Sequence, residues 1–126
     1  MEPTKFKMML LVRTDLGMKK GKAMSQATHA GCGIYKNIIA GQFTEQQLEW
    51  VREWEEDGAA KIALRAPTEQ DIDKLVEEAG KLGVPTYVQV DAGLTQVAPN
   101  SKTCLAVGPA PTHLTTQLCG AYKLMT

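Results

Sequence analysis

Several residue types are too sparse in this chain to support the chemistries that depend on them. Its cysteines, Cys32, Cys104 and Cys119, are odd in number and widely spaced, with no C-x-x-C pair. That argues against a disulfide framework or a thiolate zinc site and favours reduced intracellular thiols that pack as small core residues. The two histidines, His29 and His113, lack metal-ligand spacing, so no metal is expected. The longest purely apolar run, Met8–Val12, is far short of the roughly 20 residues that cross a bilayer, and nothing marks export. Repeats and linkers are absent too. With 126 residues, 44% of them hydrophobic and 22% charged, the expectation is one soluble domain over 1–126, with 1–4 as a flexible N-terminus.

Net charge is also lacking, but the zero hides an asymmetry. Residues 1–43 hold seven Lys/Arg and two Asp/Glu, whereas residues 44–58 hold one Arg and six acids. A polyanionic partner would therefore meet the N-terminal part. On charge alone, a solvated lysine cluster explains the same pattern.

The hydrophobic pattern predicts eight elements. Lys5–Arg13 reads as a buried strand. A helix over about 21–40 would bury Ala23, Ala27, Ala30, Ile34 and Ile38. Thr44-x-x-Gln47 forms a capping box, with Phe43 and Leu48 as its hydrophobic staple, and opens a helix that buries Leu48, Val51 and Trp54. Gly58 supplies its left-handed C′ residue. Ala59–Arg65 alternates as a strand. Pro67-Thr68 starts a third helix carrying Ile72, Leu75, Val76, Ala79 and Leu82, stopped by Gly83 and Pro85. Val84–Val90 and Thr103–Val107 are β-rich, and Pro111-Thr112 begins a last helix that ends near Gly120. The order β-α-α-β-α-β-β-α predicts an α/β fold, a three-layer α/β/α sandwich. Residues 91–101 have no helical pattern, so the last two strands, if adjacent, pair antiparallel and make the sheet mixed.

The glycine- and lysine-bearing segment after the first strand, "DLGMKKGKAMSQATHA", has the layout of a phosphate-binding loop. A P-loop needs four residues between its glycines and a Ser/Thr after the lysine to hold Mg²⁺. Only three residues separate Gly17 from Gly21, and Ala23 stands where the hydroxyl belongs. ATPase or GTPase chemistry is therefore not expected. Lys22, Gln26 and His29 do share one helix face, joining a cation, an amide and an imidazole. By spacing alone, a polar helix flank with a satisfied histidine fits equally well. Lys19 and Lys20 suit phosphate contacts. A second polar cluster, Asp91, Gly93, Thr95, Gln96, Asn100 and Ser101, lies in a long connection at the C-terminal end of a strand, where α/β sheets place ligand crevices. Turn chemistry alone explains Gly93 and Pro99 well, and Asp91 with Thr95 less well.

Together, "KMMLLVRTDLGMKKGK", "SQATHA", "KIALRAPTE", "VDAGLTQVAP" and "VGPAP" resemble the type 2 peptidyl-tRNA hydrolases of archaea and eukaryotes, in order from about residue 5 to residue 124. The resemblance implies a four-stranded mixed sheet flanked by helices, a homodimer, and hydrolysis of the ester between a peptide and the 3′ end of tRNA. It implies no metal and no organic cofactor, and a soluble, cytoplasmic protein that makes no use of a membrane. Family site positions match Lys22, Gln26, His29, Asp91, Thr95 and Ser101. Lys19 stands where glycine is frequent, Ala110 departs from a frequent "GPGP", and Asn100 takes another small turn position. None of these removes a functional group.

The implied chemistry needs an activated water and a stabilised oxyanion. Asp91 would accept a proton or position the lysine, and Lys22 would neutralise the developing charge. Gln26, Thr95 and Ser101 would orient the substrate carbonyl or the terminal ribose, with Gln96 beside them; direct attack by Thr95 is the alternative to the simpler water nucleophile. His29 has three open roles: general base, phosphate contact or packing residue. Lys19, Lys20 and Lys22, with Lys102 and Lys123, would contact tRNA phosphates. The alternative is a catalytically silent homologue that binds tRNA or a protein; Trp50 and Trp54 could form its exposed surface, but their spacing of four fits core or dimer interface better. A metal-dependent hydrolase is a remoter option.

Overall fold

The computed structural model describes residues 4–93 and 97–126. Thr95 and Gln96, and all of the expected N-terminal flexible segment except Thr4, lie outside the described residues. The elements are β1 (Phe6–Arg13), α1 (Lys20–Ile39), α2 (Glu45–Glu56), β2 (Lys61–Ala66), α3 (Glu69–Lys81), β3 (Thr86–Val90), β4 (Lys102–Pro111) and α4 (Thr112–Cys119). Their order and type are those predicted, with boundaries moved by a few residues.

The strands form one sheet in the order β2-β1-β4-β3. β1 pairs with β2 in parallel, and β4 runs antiparallel to both β1 and β3. The sheet is therefore mixed. One consequence organises the rest of the molecule: β1 and β3 finish at the same edge where β4 begins. Val12 and Gln89 both face Cys104, and Val90 faces Lys102.

Strand alternation sorts the core into two layers. Met9 and Leu11 of β1, Leu64 of β2 and Leu105 and Val107 of β4 point to one face, where Ile72, Leu75 and Ala79 of α3 and Leu118 of α4 cover them. Met8 and Val12, with Cys104 and Ala106, point to the other face and meet Ala23, Ala30 and Ile34 of α1 and Trp54 of α2. Within the predicted α1 stripe, Ala27 and Ile38 are only half-buried, because the helix leans towards β4 and β3. Gly33 allows that lean: a Cβ there would sit 2.3 Å from the Tyr87 ring on β3.

Both middle helices are stopped and started locally. The Thr44/Gln47 capping box opens α2, and Thr68 with Asp71 makes a second box at α3, each worth roughly 1 kcal/mol. Trp54 is fully buried, and its indole N–H donates to the Ala60 carbonyl at 2.9 Å. Trp50 is half-buried against the other core layer. Trp54 is therefore a core residue and not an exposed protein-binding surface.

Candidate active site

Two chain segments meet at the sheet edge where β1 and β3 end. After β1 the chain turns through Gly17, at φ +72°, and enters α1 at Lys20. This helix has no side-chain N-cap bond and no acid in its first turn. Its N-terminus therefore presents Lys19, Lys20 and Lys22 beside backbone N–H groups that have no partner within the helix, a region of positive potential.

After β3 the chain reaches Asp91. Its backbone N–H donates to the Ser101 carbonyl at 2.9 Å, and its carbonyl accepts from the Asn100 N–H at 2.8 Å. These two bonds pin the ends of the 91–101 connection together. Gly93 has φ +79°, and a Cβ there would lie 2.5 Å from the Pro99 backbone. No other residue fits that approach.

Asp91 joins the two segments. Its Oδ1 lies 2.6 Å from Lys22 Nζ, and its Oδ2 accepts from the Gly93 N–H at 2.9 Å. The Lys22 and Asp91 side chains are only 12% and 9% exposed. The hydrogen bond from Lys22 is the main reason that the Asp91 carboxyl lies below its ordinary pKa; desolvation opposes it and the Gly93 N–H assists. A carboxylate so held stays ionised and is a poor proton acceptor.

One turn along α1, Gln26 is 4% exposed, and its Oε1 accepts a hydrogen bond from the fully buried Thr103 hydroxyl of β4. Lys22, Gln26 and Asp91 thus come together. Among the described residues, the other predicted site side chains stand apart from that cluster. His29 is exposed further along the helix. The Ser101 hydroxyl turns into its own loop, donating to the Ala98 carbonyl at 2.7 Å. Lys19 is exposed at the N-cap position. Lys20 is also exposed and borders a cavity of about 330 Å³ that Val12, Ala23, Met24, Ala63 and Met125 help to line, on the opposite flank of the helix.

Two residues that sequence reasoning passed over also belong here. Thr103 is a hydroxyl within an apolar strand, a pattern that could have marked it. Arg13 ends β1 only 8% exposed, with its guanidinium forked onto Asp15 at 2.7 and 2.8 Å. A basic residue at a strand end reads as solvated, so its burial gave no signal. Among the described residues, no group of three or more His, Cys, Asp or Glu side chains could hold a metal ion. The site offers ammonium and amide donors beside an ionised carboxylate, an arrangement suited to stabilising a developing oxyanion.

The family described as "Peptidyl-tRNA hydrolase PTH2" matches residues 6–125. A peptidyl-tRNA hydrolase from Sulfurisphaera tokodaii is 38% identical over 119 residues, covering 94% of this chain and 98% of the relative. The mitochondrial peptidyl-tRNA hydrolase 2 of Homo sapiens is 39% identical over 94% of this chain and 64% of its own length. A protein described as "Probable peptidyl-tRNA hydrolase 2" from Schizosaccharomyces pombe is 44% identical over 94% of this chain and 55% of its own length. The chain thus spans nearly all of the archaeal relative and between half and two thirds of the eukaryotic ones. With the match running from the first strand to the C-terminal tail, the chain belongs to the PTH2 family of peptidyl-tRNA hydrolases.

Proposed function

We infer that this protein hydrolyses the ester that joins a peptide to tRNA, releasing free tRNA and peptide and so recycling stalled or dropped-off tRNA. The observation that carries the reading at this site is the 2.6 Å pair between Lys22 and Asp91, which sets an ammonium group at the junction of the two segments. Asp91 is held ionised, so its role is to aim Lys22 and not to serve as the base. Lys22 has three N–H donors and spends one on Asp91. The others neutralise the oxyanion formed when water adds to the ester carbonyl. Gln26, its Oε1 engaged by Thr103, turns its amide hydrogens to the same intermediate. Collapse of that intermediate breaks the acyl C–O bond and expels the ribose 3′ or 2′ oxygen, which takes up the proton given up by the attacking water.

Thr95 and Gln96, in the connection after Gly93, are assigned to orienting the water and the substrate, with Ser101 as a neighbour of the terminal ribose. His29 lies seven residues from Lys22, about 10 Å along the helix axis. That separation supports a tRNA contact for His29 over a role as base. Lys19 and Lys20 contact phosphates. The protein acts as one domain, in the cytoplasm, and without metal or organic cofactor. No helix among the described residues is long and apolar enough to cross a membrane. Homodimerisation through the apolar flank of α1, where Met24 is 67% exposed, is part of the same proposal.

The test is release of labelled N-acetyl-aminoacyl-tRNA by substoichiometric protein in EDTA. Many turnovers by wild type, with Lys22→Ala and Asp91→Asn folded but impaired, support the reading. Binding of tRNA without release would leave only the silent binding module.

A further inference from the structure

We propose that Arg13 is a positioning residue for hydrolysis, holding the lysine-bearing loop against the first residues of β4; this rests on the hydrolase reading. Burying a guanidinium is costly unless its donors are matched. Arg13 is 8% exposed and spends three nitrogens on two targets. Nε and Nη2 form a fork with the Asp15 carboxylate at 2.7 and 2.8 Å, and Nη1 donates to the Lys102 carbonyl at 3.0 Å. The pairing raises the pKa of Arg13 and lowers that of Asp15, the mutual hydrogen bond being the largest cause for each.

The two targets explain what the bonds accomplish. Asp15 lies in the loop that leads to Lys19, Lys20 and Lys22. Lys102 is the middle of three consecutive residues that each receive or give one bond at the site. The Ser101 carbonyl accepts from the Asp91 N–H, the Lys102 carbonyl accepts from Arg13, and the Thr103 hydroxyl donates to Gln26. Arg13 therefore connects the lysine loop to the segment that fixes both Asp91 and Gln26. The Thr14 N–H adds a further bond from the same loop to the Ala66 carbonyl at 3.0 Å, on the β2 side.

Lysine cannot replace this brace. An ammonium group lacks the planar fork that meets both oxygens of one carboxylate while a third N–H reaches a carbonyl elsewhere. A loop released from β4 shifts Lys22 relative to Asp91 and Gln26. Displacement of a catalytic group by about 1 Å costs up to about a hundredfold in rate.

The experiment compares wild type, Arg13→Lys, Asp15→Asn and the double variant of the full chain, by turnover of labelled N-acetyl-aminoacyl-tRNA and by thermal unfolding. In the folded variants, kcat is expected to fall by about tenfold or more with KM within about threefold. The double variant is expected to be no worse than the poorer single variant, because both lesions break one unit. A merely structural pair would lower the melting temperature and leave kcat per folded molecule intact. That result, or losses that multiply in the double variant, would overturn the proposal. If Arg13→Lys fails to fold, Asp15→Asn decides, since Asp15 is 41% exposed and its replacement leaves Arg13 its bond to Lys102. A wild type that releases nothing defeats the hydrolase reading itself and this role with it. Turnover by wild type and equally by the variants defeats the positioning role alone.

Discussion

Along one flank of α1, Lys22 and Gln26 each meet a named partner across the sheet edge, Asp91 and Thr103. Along the other flank, Met24, Ala27, Thr28, Gly31, Cys32 and Tyr35 border two cavities, of about 330 and 280 Å³, over β1 and the β2 edge. The first flank is directional: its polar groups have partners at fixed distances, and losing one strands the other. The second is non-directional and offers area, with Met24 67% exposed. The first kind of surface suits the chemistry proposed for this site and the second suits the proposed self-association, and one helix carries both.

The largest expected effect breaks the directional flank. Lys22→Ala should lower kcat by about 10²–10³-fold, whereas Met24→Ala on the other flank should leave it within about twofold. Steady-state turnover of the two folded variants measures the difference; equal losses would mean that the flanks are not separate. Asp91→Asn comes next, with an expected loss of about ten- to a hundredfold, because an amide can still accept from Gly93 but cannot hold an ammonium group by charge. The same substitution bears on pH. The folded Asp91 lies below its unfolded value, so its contribution to stability is complete above the unfolded pKa of about 4 and is lost as pH falls through the folded value. Thermal unfolding followed between about pH 2 and 5 should show a shallower acid limb for Asp91→Asn than for wild type.

Two glycines sharpen the comparison further. Gly33→Ala would drive a methyl group into the Tyr87 ring at 2.3 Å. It should cost about 1–3 kcal/mol and impair turnover by moving the helix. On the opposite flank, a Cβ at Gly31 meets only Met8 Sδ at 3.9 Å. Gly31→Ala should stabilise by roughly 0.5–1 kcal/mol. Denaturant titration of both variants checks the opposite signs. The smallest change in turnover is expected from Met24→Glu, which should weaken self-association in sedimentation while leaving the chemistry intact.

What could be read from the sequence was what is local. The Thr44/Gln47 box and the α1 face that carries Lys22 and Gln26 each lie within a few residues, where spacing and geometry coincide. β4 was underestimated: Thr103–Val107 was expected, and the strand runs from Lys102 to Pro111. Gly108, Pro109 and Pro111 argue against a central strand because proline cannot donate to the ladder. The sheet accommodates them where the β1–β4 register shifts between Lys7 and Met9. The Lys22–Asp91 pair spans 69 residues, and no periodicity links such positions; only the family resemblance brought them together. Arg13 and Thr103 went unread for a related reason, since burial at a strand end depends on neighbours that are distant in the chain.

The insertion of β4 between β1 and β3 also has a bearing on synthesis. Within the sheet β4 is made after β1, β2 and β3; β1 and β2 can pair without it, but β3 has no partner strand until it arrives. A chain still on the ribosome with β4 in the exit tunnel already carries the lysine loop and Asp91, but lacks the strand that sets them at bonding distance. Until that strand arrives, β1 and β3 each show an unpaired edge, and the non-local pairing that closes the sheet is the slow kind. The Lys22–Asp91 and Gln26–Thr103 bonds therefore form only once β4 is in place.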